Sequence, residues 1–181
     1  MLTTGRFHVH YGRWVKFTDD ISTEALLVQV RRSPLLLCSI FLIAVRHTAQ
    51  ELADRLAPTL FEEAKRLVAS SLLVTPQTIE FFQAALVLSL WSTTIGQVPL
   101  SIDSWLLTGY ALQQCLASPL FNEVLQTDTH PAVNHKYHKA LCMWNHLCVA
   151  HLQYGCPNLD SLILANLKLA DTASAHAGKR F

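Results

Sequence analysis

Ser33-Pro34-Leu35-Leu36-Leu37-Cys38-Ser39-Ile40-Phe41-Leu42-Ile43-Ala44-Val45-Arg46 is the stretch that decides the fold class. Serine is a favoured helix cap, and proline at the first helical position gives up an N–H that would have no intrahelical partner anyway. From Leu35 to Val45 the residues are apolar almost all round, so a helix here has no solvent face and must be central. The apolar run is eleven residues long and bracketed by Arg31, Arg32 and Arg46, whereas crossing a bilayer takes about twenty. A buried core helix is expected, with membrane-surface association as the alternative that so apolar a composition leaves open.

Working outward, Asp19 and Asp20 stand ready to cap a helix starting near Ile21, with apolar residues at 21, 25, 26, 27 and 30. It ends at Arg31 and Arg32, a basic pair suited to the negative end of a helix dipole. Residues 1–18 show no sustained period and read as an extended lead-in. Beyond Thr48 the pattern turns amphipathic, and Pro58 either kinks one long helix or starts a second after a break near Ala57. Leu60, Phe61, Ala64, Leu67, Val68 and Leu72 form its apolar stripe, opposite Glu62, Glu63, Lys65 and Arg66. Thr75-Pro76 repeats the cap-and-proline start, and from Ile79 to Trp91 only a stripe through Glu80 and Gln83 is polar. Gly96 and Pro99 mark a loop, and Ser101 with Asp103 supplies a cap and a first-turn carboxylate for the next helix.

In that helix Trp105, Gly109, Leu112 and Leu116 share one face, and Gly109 is expected to admit another backbone closely, since a mid-helix glycine costs about 1 kcal/mol against alanine. Pro119 ends or bends it, and Pro131 introduces a long helix over 132–153. There the stripe is Val133, Tyr137, Leu141, Trp144, Cys148 and Leu152, finishing at Gly155 as a C-terminal cap. A last helix is expected over 159–170, before a frayed polar tail. The sum is an all-α, multi-helix bundle of about seven or eight helices. The lead-in is 1–18, the helical domain 19–170 and the tail 171–181.

With 181 residues and 20.3 kDa the chain fits one domain, a size that buries roughly 70% of the unfolded surface. Only 15% of its residues are charged, 51% are hydrophobic and the mean hydropathy is +0.27, against about 25% charged in ordinary soluble domains. So much apolar surface needs either covering segments or a partner. The formal net charge of +1, without long runs of one sign, supplies no electrostatic footprint for wrapping nucleic acid. The five cysteines, at 38, 115, 142, 148 and 156, make no C-x-x-C pair or even-numbered framework, which points to a reducing compartment. The N-terminus has no apolar core of a secretory signal.

Few residues invite chemistry. His135, His138, Cys142 and His146 share a helix face with zinc-binding donor types. The first and last stand about 16 Å apart along a straight helix, so one ion cannot take all four. Metal binding there needs ligands from elsewhere, and a polar outer face is the simpler account. Asp103 beside Ser104 is better explained by helix capping than by a hydrolase triad, and no G-x-S-x-G, H-E-x-x-H or P-loop motif is present. Trp91, Trp105 and Trp144 are read as core packing rather than a ligand cage. No catalytic, cofactor-binding or metal-ligating residue is assigned; the structural anchors are Trp91, Trp105, Gly109, Tyr110 and Trp144.

Taken in order, Ser33 to Arg46, Leu88-Ser89-Leu90-Trp91-Ser92, Ile102 to Leu112 with Ser104-Trp105-Leu106-Leu107-Thr108-Gly109-Tyr110-Ala111, and Leu141-Cys142-Met143-Trp144-Asn145 to Gln153-Tyr154 resemble the regulatory middle homology region of fungal binuclear zinc cluster (Zn2Cys6) transcription factors. The resemblance spans roughly residues 20 to 155, and the Trp105 segment is its most specific part. It implies an all-helical regulatory domain of a nuclear transcription factor that restrains or transmits activation, with a small metabolite as a conceivable effector. Its partners would be other domains of the full-length factor, coregulator proteins or a second copy, with no direct DNA contact and no membrane. The six-cysteine cluster is absent from these residues, so zinc is expected only in a DNA-binding module outside them and no cofactor in this chain. The family continues through further helices after Gly155, where 26 residues remain here, so the domain is expected to be incomplete relative to the family. The alternative is a stand-alone helical interaction or dimerisation protein derived from that family.

Overall fold

Ser33 and Pro34 do start a helix. In a computed structural model of the chain, which describes residues 10–12, 15, 22–91, 102–119, 121–122 and 135–155, the Ser33 hydroxyl accepts from the Leu36 N–H at 3.3 Å. Among the described residues six helices are bounded, in order α1 (Thr23–Arg31), α2 (Pro34–Val45), α3 (Gln50–Ser71), α4 (Ile79–Trp91), α5 (Ser104–Ala117) and α6 (His135–Gly155), with further helical residues at 10–12, 15, 119 and 121–122. The fold is all-α, with no strand among the described residues.

The two helices without a polar face form the centre. α2 packs against α1, α3 and α4, and α4 packs against α2, α5 and α6, so α2 and α4 are sandwiched between amphipathic partners. Leu36, Ile40, Leu42 and Ile43 of α2 and Phe82, Leu86 and Leu88 of α4 are fully buried. Each such side chain contributes about 1.5–3 kcal/mol through removal from water. α3 buries its Ala53, Ala57, Phe61 and Ala64 stripe and packs Leu60, Leu67 and Val68 partly against the core, leaving the Lys65–Glu62 and Arg66–Glu63 ion pairs in solvent.

Several boundaries differ from the sequence reading. α1 is capped by Ser22, whose hydroxyl accepts from the Ala25 N–H. Residues 10–12 and 15 are helical rather than extended, and Val15 is buried, its carbonyl accepting from the Gln83 side chain at 2.7 Å. Gln83 is thus fully buried, not part of a polar stripe. α3 is one continuous helix with Pro58 inside it. The Thr75–Pro76 bond is cis, and α4 starts only at Ile79, after Gln77 has turned back to donate to the Ser71 carbonyl at 2.6 Å. Asp103, not Ser101, is the N-cap of α5, accepting from the Leu106 N–H at 2.8 Å. Gly155 is itself helical, within α6 as far as it is described, rather than a cap following the helix.

The expectations for Asp19, Asp20, Gly96, Pro99, Ser101, Pro131, Val133, Cys156, the helix over 159–170 and the tail over 171–181 lie outside the described residues. None of the described helices is long and apolar enough to cross a membrane.

Candidate functional site

Three of the four segments that carry the resemblance, those around Trp91, Trp105 and Trp144, meet where α4 ends and α5 and α6 run antiparallel. Carbonyls near a helix end are the ones open to outside donors, and Ser89 lies in the last described turn of α4. Its carbonyl accepts from the Ser104 hydroxyl at 3.0 Å and from the Tyr154 hydroxyl at 2.6 Å. One buried backbone oxygen therefore fastens the first turn of α5 and the last turn of α6 to the end of α4. Tyr110 ties α5 to the other side by donating to the Leu72 carbonyl.

Beside this junction Thr108 lies 2.7 Å from the Ser104 carbonyl and 3.0 Å from His151 Nδ1. The hydroxyl has one proton, and the carbonyl can only accept it, so Nδ1 of His151 must be the donor to Thr108. In the neutral ring Nε2 then holds the lone pair. The same imidazole stacks on Trp105, with ring centroids 5.5 Å apart, and fills the space over Gly109, where a Cβ would stand 3.2 Å from His151 Cε1. Gly109 thus makes room for a side-chain ring, not for a second backbone. A Cβ on Gly155 would meet the Trp105 indole at 3.5 Å.

The sequence-derived anchors separate into two kinds. Trp91 and Trp144 are half-buried against the core, as is Tyr110, and Trp91 packs edge-on to Tyr11 with centroids 4.9 Å apart. Trp105 is different: 53% of it is exposed, one side covered by His151 and the other open. The inward face of α5 is Leu107, Thr108, Ala111 and Cys115, rotated from the expected Trp105, Leu112 and Leu116 stripe. Likewise α6 buries Ala140, Met143, Leu147 and Ala150, while Leu152 is 61% exposed. Trp105 and Leu106 (63%) on α5 and Val149 (57%) and Leu152 on α6 therefore crowd the same end of the α5–α6 pair. Sequence reasoning missed the roles of Ser89, Thr108, His151 and Tyr154. Their only signal was polarity inside apolar segments.

Reactive groups are muted. Cys38 donates to the Leu60 carbonyl at 3.2 Å, and burial, aided by the Glu63 charge, pushes its thiol up to about 11. Burial also raises Cys115, with the nearby Cys148 adding to it, and raises Cys148 itself. Thiols held protonated are poor nucleophiles and poor metal ligands. His138 and Cys142 approach to 3.6 Å, His146 is half-buried one turn further, and the His135 side chain lies outside the described residues. Among the described residues no three His, Cys, Asp or Glu side chains gather as metal ligands. Asp103 and Ser104 are both engaged at helix ends.

The sequence profile of a family described as the middle domain of the transcriptional activator of proteases prtT matches residues 2–173. The chain belongs to this family. An uncharacterized transcriptional regulatory protein of Schizosaccharomyces pombe is 30% identical over 157 residues, 81% of this chain and 27% of that protein. The transcriptional activator of proteases prtT of Aspergillus clavatus is 35% identical over 83 residues, 46% of this chain and 13% of that protein. The prtT-like middle domain thus spans a minor part of the length of these relatives, which are named as transcriptional regulators, not enzymes. No solved structure matches it.

Proposed function

We propose that this prtT-like middle domain is the regulatory and interaction domain of a fungal nuclear transcription factor, working through helix packing with other domains or coregulator proteins rather than through catalysis. The observation that carries the reading is the apolar end of the α5–α6 pair, where Trp105, Leu106, Val149 and Leu152 remain more than half exposed. A monomeric soluble domain seldom leaves such side chains clustered unless a partner covers them. Trp105 is held rigid by His151 before any partner arrives, so docking loses little side-chain entropy, a hallmark of aromatic anchors at interfaces. DNA reading belongs to other parts of such a factor, where a zinc cluster would sit, and this domain needs no cofactor to transmit its state.

The test is a transcription reporter driven by the full-length factor carrying Leu106→Asp with Leu152→Asp. Regulation is expected to be lost while the factor remains nuclear and the purified domain keeps its helical circular dichroism. Unchanged regulation by a folded variant would refute the interface.

A further inference from the structure

The second feature of the fold is an open cleft of about 410 Å³ at the corner where α1 turns into α2 and α3 gives way to α4. Its walls carry Arg32, Ser33, Leu35, Leu67, Thr78 and Glu80. Small-molecule sites run from about 300 to 1,000 Å³, so this one suits a ligand at the small end.

Two tethers pre-form the cleft. Gln77 donates to the Ser71 carbonyl at 2.6 Å, and Tyr110 reaches across from α5 to the Leu72 carbonyl. The α3–α4 connection is therefore pinned from both sides, and ordering it on binding costs little.

The chemistry of the walls selects the ligand. Arg32 and Glu80 bear opposite charges on one cleft, yet no ion pair joins them among the described residues. Lys139 of α6 lies near enough to Glu80 for that carboxylate to favour its protonated form, against a burial that lowers its pKa. The Ser33 hydroxyl spends its oxygen on the Leu36 N–H, leaving its own proton to donate. Leu35 and Leu67 supply an apolar wall. A polyphosphate would be repelled by Glu80, and a divalent cation would find only one carboxylate.

We propose that this cleft binds a free α-amino acid with an aliphatic side chain. The carboxylate sits against Arg32 and the Ser33 hydroxyl, the ammonium against Glu80, and the side chain against Leu35 and Leu67. Binding itself is independent of the regulatory reading; its use as an effector signal rests on that reading.

Isothermal titration of the purified 181-residue chain with L-leucine tests it. Saturable binding with Kd about 1 mM or tighter is expected, weakened at least about tenfold by Arg32→Gln and by Glu80→Gln. Isovalerate, which lacks the ammonium, and isoamylamine, which lacks the carboxylate, should bind at least about tenfold more weakly to the unaltered chain. Absence of leucine binding at 10-fold higher concentration (about 10 mM), equal binding of isovalerate, or indifference to both substitutions would each overturn the proposal. Leucine binding with a reporter that ignores Leu106→Asp and Leu152→Asp would instead sink the regulatory reading and leave this site standing.

Discussion

The Ser89 carbonyl shows how one atom organises three helices. It lies in the last turn of α4, is buried by packing, and among the described residues accepts from Ser104 and Tyr154. Removing either donor leaves the other, so Ser104→Ala and Tyr154→Phe should each cost about 1 kcal/mol. Removing both takes away both hydroxyl donors that the described residues offer this buried acceptor, and the double variant should exceed the sum of the singles by about 1 kcal/mol. Urea unfolding of the four proteins measures the coupling; strict additivity would show that water replaces the lost donors. Gly109 tests a neighbouring contact. Alanine gains about 1 kcal/mol of helix propensity but presses its Cβ to 3.2 Å from a ring held by Thr108 and Trp105. Gly109→Ala should therefore be close to neutral in the native chain and stabilising by about 1 kcal/mol in a His151→Ala background. Equal effects in the two backgrounds would mean that the His151 ring yields freely.

At the scale of elements, α3 carries an internal penalty that its neighbours absorb. Pro58 has no N–H to offer the carbonyl of Asp54, and its ring crowds that turn, yet the helix runs unbroken from Gln50 to Ser71. Ala53, Ala57, Phe61 and Ala64 hold it against α2 on both sides of the proline. Because Pro58 is exposed, Pro58→Ala alters no core contact and should raise stability by about 1–3 kcal/mol, read as a higher urea midpoint at unchanged slope. The same override explains what the sequence disclosed and what it concealed. Helices without a polar face had to be central, so α2 and α4 were legible from composition alone. The amphipathic partners were legible as helices, but not in their rotation. α5 has apolar residues on both the Trp105 and the Leu107 sides, and local periodicity cannot say which side meets α4. The buried polar contacts of Thr108 and His151, forty-three positions apart, depend on a pairing that no local pattern encodes.

For the whole molecule, the shortage of charge has a location. Exposed apolar side chains gather at the α5–α6 end through Trp105, Leu106, Val149 and Leu152, while α2 and α3 expose Phe41, Leu52 and Leu56. The first group includes the rigid, stacked tryptophan and is the better prepared for contact; the second is edged by the charged outer side of α3. If the first group is the adhesive one, the 181-residue chain should associate with rising concentration, and Leu106→Asp with Leu152→Asp should shift it toward monomer in sedimentation velocity. Both positions face solvent, so unfolding free energy should change by no more than about 0.5 kcal/mol. Stability and association are thereby separated in one pair of substitutions. Association that persists undiminished would move the contact to another exposed apolar site, either Phe41 with Leu52 and Leu56 or Leu73 with Val74 just beyond α3.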